Sequence, residues 1–276
     1  MMMVKNLNWR GIRAITRKDV NEILRNKQST YPMLIIPIIM FVIVPIIILM
    51  VFYNMNNNSI DTEQLMKMLP SSTVNAIPSN ITGAGVLAYM ILMMFYIPMY
   101  LIIPSLISNV TAASSFVGEK ENRTIEGILS TKMTAFELVI AKSLASLIPA
   151  MIVSLITAII YGLIVNIGGI GLFHTIIFPN GQWLAAILIT SPLITIFSIA
   201  IMCFISQRVN SSMAASGLGL LIRLPLVSIL ALQSVGSLTM KSTTILLITV
   251  FILLADLLAL LIVSWTTDSE SMLMKS

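Results

Sequence analysis

Acidic and basic side chains make up only 10% of these 276 residues, so the places where they gather are where chemistry can be sought. The densest gathering after the first thirty residues is Gly118–Lys142, GEKENRTIEGILSTKMTAFELVIAK. It carries Glu119, Lys120, Glu121, Arg123, Glu126, Lys132, Glu137 and Lys142. Mixed charges at this spacing suit ion pairing with a water-exposed surface rather than bond-breaking. Two further ionisable residues, Arg223 and Asp256, are embedded in apolar runs. Charges placed there are expensive, which makes each a functional candidate.

Other chemistries lack their residues. His174 is the only histidine and Cys203 the only cysteine, so no metal-ligand set and no intrachain disulfide can be assembled. Cys203 lies in an apolar run and reads as a small buried hydrophobe. There is no Ser–His arrangement, no His-Glu-x-x-His motif and no pair of intramembrane carboxylates. A GxxxxGK[ST] phosphate loop, whose glycines expose backbone N–H groups and whose lysine meets the phosphates, is also missing. The sequence therefore assigns no catalytic residue, no metal and no cofactor to this chain.

The elements that must position these charges follow from composition. The chain is 57% hydrophobic, and a soluble domain carries about 25% charged residues. Crossing the hydrocarbon core takes about 20 apolar residues per helix, and six stretches qualify, at about 32–53, 84–108, 143–165, 183–205, 213–232 and 245–265. Continuous apolar runs such as LIIPIIMFVIVPIIILMVF exclude the alternation of a membrane barrel. The predicted fold is an all-α membrane protein with six transmembrane helices spanning 32–265. Residues 1–31 precede them as an amphipathic helix on the cytoplasmic surface, with Ile12, Ile15, Val20, Ile23 and Leu24 between its charges. That stretch is too long and too charged for the n-region of an ordinary signal peptide. Residues 61–69 of the polar 54–82 loop are expected to form one short amphipathic helix, and 266–276 a cytoplasmic tail.

Basic residues orient this arrangement. With the N-terminus inside, seven Lys/Arg fall in 1–31, four in 118–142, and Arg208 and Lys275 follow on the same side; only Lys67 and Lys241 lie outside. The positive-inside rule then puts both termini in the cytoplasm.

In that topology Gly118–Lys142 is cytoplasmic. Ile125, Ile128 and Leu129 make one apolar face, and Thr134 with Glu137 makes a capping box that starts a new helix. The segment thus reads as helix, break, helix, either docking into a cleft on a soluble partner or simply closing two spans. Arg223 and Asp256 fall at similar depths, about 16 Å and about 14 Å from the inner face, on consecutive antiparallel spans. The similar depth suits an Arg223–Asp256 ion pair, which would lock helix packing or line a translocation path; the alternative is that the two charges are solvated separately. Ala214, Ala215, Gly217 and Gly219 give the fifth span a small-residue face.

The segment resembles the signature of type-2 ABC exporter permeases. In that family a Gly-Glu-Lys-Glu run after the second span leads into a Thr-x-Glu-x-x-Leu helix and a Glu-Leu…Lys segment. The matching positions are Gly118, Glu119, Lys120, Glu121, Thr124, Glu126, Leu129, Glu137, Leu138 and Lys142. A basic N-terminal helix, six spans, and the Ser206-Gln207-Arg208 turn before the fifth span extend the similarity. Family members often have proline after their Leu-Ser-Thr, where this chain has Lys132 and Met133.

The resemblance implies a coupling helix between spans two and three, through which Glu119, Lys120, Glu121, Arg123, Thr124, Glu126 and Leu129 meet a separate cytoplasmic ATPase. ATP and magnesium would belong to that partner, present in two copies. The permease itself would be a homodimer, or a heterodimer with a related permease, in a prokaryotic plasma membrane, with no role for nucleic acid. The exported substrate would be a drug, an antimicrobial peptide, a lipid-like molecule or sodium. The alternative is a non-transporting membrane anchor or sensor that recruits a cytoplasmic ATPase or regulator through the same loop.

Overall fold

The computed structural model describes residues 7–55, 74, 77–78, 80–81, 83–121 and 133–221. Every regular element among them is helical. Helix α1 is Trp9–Arg25. Helix α2 joins Lys27–Ile38, a π-helical turn Ile39–Ile43 and Val44–Asn54. Helix α3 joins Ala84–Tyr89, a π-helical turn Met90–Phe95 and Tyr96–Glu121. Helix α4 is Ala135–Gly168. Helix α5 joins Gly181–Ala185, a π-helical turn Ala186–Thr190 and Ser191–Ser206. Helix α6 is Ser212–Leu221.

Four of these contain segments long and apolar enough to cross a membrane: Thr30–Asn54, Ala84–Gly118, Phe136–Gly168 and Gly181–Ser206. They mark the chain as a membrane protein that is all-helical among its described residues. Helix α6 is the first part of the expected fifth span. The rest of that span, the sixth span and the tail lie outside the described residues, as does the expected 61–69 helix.

The π-helical turns have a cause in the sequence. Proline has no N–H for the carbonyl four residues back, and its ring clashes with that carbonyl. Counting back four from Pro45, Pro98 and Pro192 reaches Phe41, Met94 and Leu188, each inside a π-helical turn. Widening the helix there relieves the clash. Carbonyls in one wider turn take side-chain donors from neighbouring helices. The Tyr161 hydroxyl donates to Leu92 O, and Trp183 Nε1–H donates to Met93 O at 3.2 Å. Pro37, Pro104 and Pro149 sit within ordinary helix instead.

Around these donors lies the larger core, an aromatic cluster from four helices. Phe41 of α2 meets Tyr96 and Tyr161 edge-on, each at 5.5 Å between centroids. Tyr161 stacks on Tyr96 at 5.3 Å and on Trp183 at 5.0 Å. The Tyr100 hydroxyl is 2.6 Å from Ser154 Oγ, so the polar tips of Tyr100, Tyr161 and Trp183 are all satisfied as their rings pack. A smaller core sets Ala112, Ala113, Phe116 and Val117 of α3 against Met202 and Cys203 of α5 and Ala215 of α6. Cys203 is buried there as an apolar side chain, as its neighbours in the sequence suggested.

The turn between α4 and α5 is closed by one side chain. Asn166 accepts from the backbone N–H groups of Ile177 and Phe178 and donates to Phe178 O at 2.7 Å. His174 ends the short helix Ile170–Phe173 in a left-handed conformation, φ 53°.

Candidate functional site

The polar segment begins as the last turn of α3 and ends as the first turns of α4. Gly118, Glu119, Lys120 and Glu121 continue α3 beyond the sequence-expected span end near residue 108. The Glu121 carboxylate accepts from the Ser212 backbone N–H at 3.0 Å. Ser212 opens α6, so Glu121 satisfies a donor that the helix start leaves without an intrahelical partner. That N–H, aided by the serine hydroxyl, holds the Glu121 carboxyl below its usual range.

At the other end, Thr134 caps α4. Its hydroxyl accepts from Glu137 N at 3.3 Å, and Glu137 Oε2 accepts from Thr134 N at 2.9 Å. This is the capping box read from the sequence. The second oxygen, Glu137 Oε1, accepts from Asn8 N at 2.7 Å. Asn8 is in turn the N-cap of α1, its side chain accepting from Gly11 N at 3.1 Å. One buried carboxylate therefore stands at two helix N-termini, where both macrodipoles favour negative charge. Gly11 makes the approach possible, since a Cβ there would come within 2.9 Å of the Met133 sulfur.

Helix α1 then runs along this end of the bundle on a face made of Ile12, Thr16, Asp19 and Ile23. The Thr16 hydroxyl donates to Ala141 O at 3.0 Å. Asp19, 3% exposed, accepts from the Ser115 hydroxyl at 2.7 Å. Lys142, 4% exposed, donates to the Ser115 carbonyl and lies 5.9 Å from the Phe116 ring centroid. An acid and a base from two helices thus share one serine of a third. The sequence stripe of Ile12, Ile15, Val20, Ile23 and Leu24 is only partly the buried one: Leu24 is exposed, and Thr16 and Asp19 turn inward.

A third contact joins α3 to α6. Asn109, fully buried, donates to Ser216 O at 2.9 Å. Its Oδ1 is buried without a hydrogen-bond partner among the described residues. A Cβ on Gly219 would stand 2.3 Å from that oxygen. Of the small residues expected to make a contact face, Ala215 and Gly219 are buried, whereas Ala214 and Gly217 are exposed.

Of the residues expected to meet an ATPase, Glu121 is placed at the α6 N-terminus, and Glu119 and Lys120 belong to the turn before it. Arg123, Thr124, Glu126 and Leu129 lie outside the described residues, as do Arg223 and Asp256. Sequence reasoning passed over Asn8, Asp19, Ser115 and Ser212. The first two carried a signal: an Asn-x-x-Gly start, and an aspartate in register with Ile12, Thr16 and Ile23. Among the described residues, no group of three or more His, Cys, Asp or Glu comes together to hold a metal. No protein-family model matches the chain, and no curated protein matches it.

Proposed function

We propose that this chain is the membrane subunit of an ATP-driven exporter, coupled through residues 118–142 to a separate cytoplasmic ATPase. What supports the reading beyond the sequence resemblance is the bracing of that segment. Glu121 is bonded to the start of α6, and Glu137 to the starts of α4 and α1. A push on residues 122–132 would be carried by stiff helix ends into α1, α3, α4 and α6 together. A solvated loop that merely closes two spans has no need of such anchoring.

In this role the chain hydrolyses nothing. The partner supplies two ATP-binding subunits with their magnesium, and a second permease copy completes the path. The spans offer few charges to an ion, which favours a hydrophobic or peptide-like cargo over sodium.

The test is recovery of the tagged protein from its host in mild detergent, with nucleotide hydrolysis assayed in the eluate. A stoichiometric ATPase is expected in the wild type and lost in Glu119→Lys/Glu121→Lys. Glu119→Lys alone leaves the Glu121–Ser212 contact intact and separates lost docking from a lost helix cap. Recovery of the chain alone under several mild conditions would overturn the proposal.

A further inference from the structure

Helix α1 is fixed by its inner face, which leaves the chemistry of its outer face to be explained. Arg10, Arg13, Arg17 and Arg25 all lie on the side away from Ile12, Thr16, Asp19 and Ile23, and all four are exposed. The salt bridges among the described residues use Lys18, which is 3.6 Å from Asp19 and 3.7 Å from Glu22; none uses an arginine. Four exposed guanidinium groups on one helix thus have no ion-pair partner among the described residues.

Their level in the molecule is set by the inner contacts. Asp19 meets Ser115, four residues or about 6 Å before Glu119, the first charge after the uncharged run 68–118. Asn8 and Thr16 meet Glu137 and Ala141, beside Lys142, the last charge before the uncharged run 143–207. The uncharged run of α2 begins after Lys27, just past α1. Helix α1 therefore lies where three uncharged runs meet their flanking charges, the level at which spans meet the lipid headgroups. Trp9, Leu24 and Tyr31 are 64%, 50% and 56% exposed at the same level. Amphipathic aromatic rings favour that boundary.

We infer that the outer face of α1 is a binding surface for anionic phospholipid headgroups, with Arg10, Arg13 and Arg17 taking the phosphodiester oxygens and Trp9 resting at the acyl boundary. Guanidinium suits this role because its planar fork bonds two phosphate oxygens at once and is weakly hydrated. Each basic residue near an anionic surface strengthens binding about fivefold. The surface does not depend on coupling to an ATPase; it would anchor α1 in any membrane role.

The test uses the full-length purified protein in mild detergent, titrated with phosphatidylglycerol or phosphatidylcholine and read by native mass spectrometry. The wild type is expected to retain phosphatidylglycerol at least about tenfold better. Arg10→Gln/Arg13→Gln/Arg17→Gln is expected to lose that preference while keeping its thermal midpoint, because these side chains are exposed and enter no ion pair among the described residues. The corresponding triple lysine variant keeps the charge but not the fork, and should fall between. Equal retention of the two lipids by the wild type would overturn the inference without any variant. An unchanged preference in the glutamine triple would also overturn it, and would leave the basic face to an acidic protein partner. A glutamine triple that fails to fold would contradict the exposure on which the inference stands.

Discussion

The backbone N–H of Asn8 is bonded at 2.7 Å to the carboxylate of Glu137, 129 residues further along the chain. The same carboxylate closes the capping box of α4 through Thr134 N. A local helix cap and a long-range latch therefore meet in one carboxylate, and loss of that carboxylate removes both.

Glu137→Ala should release the N-terminus of α1 as well as fray the start of α4. The expected outcome is faster proteolysis within residues 1–30 and a thermal midpoint lower by about 2–4 °C, the usual consequence of losing one cap in a protein of this size. Thr134→Ala removes the capping hydroxyl but leaves the Asn8 bond. It should lower the midpoint without exposing α1 to protease. Equal proteolysis in the two variants would mean that Glu137 acts only as a cap.

This pair also shows what the sequence could and could not disclose. The Thr134–Glu137 box was legible because all its atoms lie within four residues. The Asn8 bond was not, because nothing near Asn8 names its acceptor. Asp19 was hidden for a similar reason. Ile15, Val20 and Leu24 offer a stripe as apolar as that of Ile12 and Ile23, and the choice between them is made by Ser115, 96 residues away. Proline positions alone do not locate the wider turns, since Pro45, Pro98 and Pro192 have such turns while Pro37, Pro104 and Pro149 do not. In the second span the partners of the wider turn, Tyr161 and Trp183, come from later in the chain.

The Glu121–Ser212 contact should depend on pH. Because the folded carboxyl sits below its ordinary value of 4.5, its contribution is full above that value and disappears as pH falls through the lowered one. Comparing wild type with Glu121→Gln removes the background effect of acid on the rest of the protein. Faster amide exchange at Ser212 in the variant is expected at pH 7, with the two proteins converging once the pH has fallen through that lowered value. A difference that persists unchanged into acid would show that the carboxylate charge is not what holds α6.

Gly219 should tolerate no side chain while Asn109 remains. A methyl group 2.3 Å from Asn109 Oδ1 must push the amide away, yet Asn109 is tied to Ser216 O at 2.9 Å. Gly219→Ala should therefore destabilise the protein by about 1–3 kcal/mol, as overpacking of a tight interior does. Asn109→Ala opens space and removes a buried acceptor that has no partner among the described residues. The double variant should then be less damaged than the sum of the singles, by thermal unfolding in detergent. Simple additivity would place the strain elsewhere.

The sharpest energetic test lies with Asp19 and Lys142. Both are almost fully buried, and they meet the two polar ends of Ser115, Asp19 at the hydroxyl and Lys142 at the carbonyl. Taking either charge out of water is costly, and the cost is repaid only while opposite charge and hydrogen bonds remain close. Asp19→Ala would leave Lys142 buried near an unbonded serine hydroxyl, and a loss on the order of 3 kcal/mol is expected. Lys142→Met would strand Asp19 in the same way, though Lys18 at 3.6 Å softens that loss. Removing both charges together takes away the burial penalty along with the interaction, so Asp19→Ala/Lys142→Met should be more stable than Asp19→Ala alone. If the double variant instead loses the full sum, the two residues act independently, and α1 is held by Glu137 and Thr16 rather than by this shared serine.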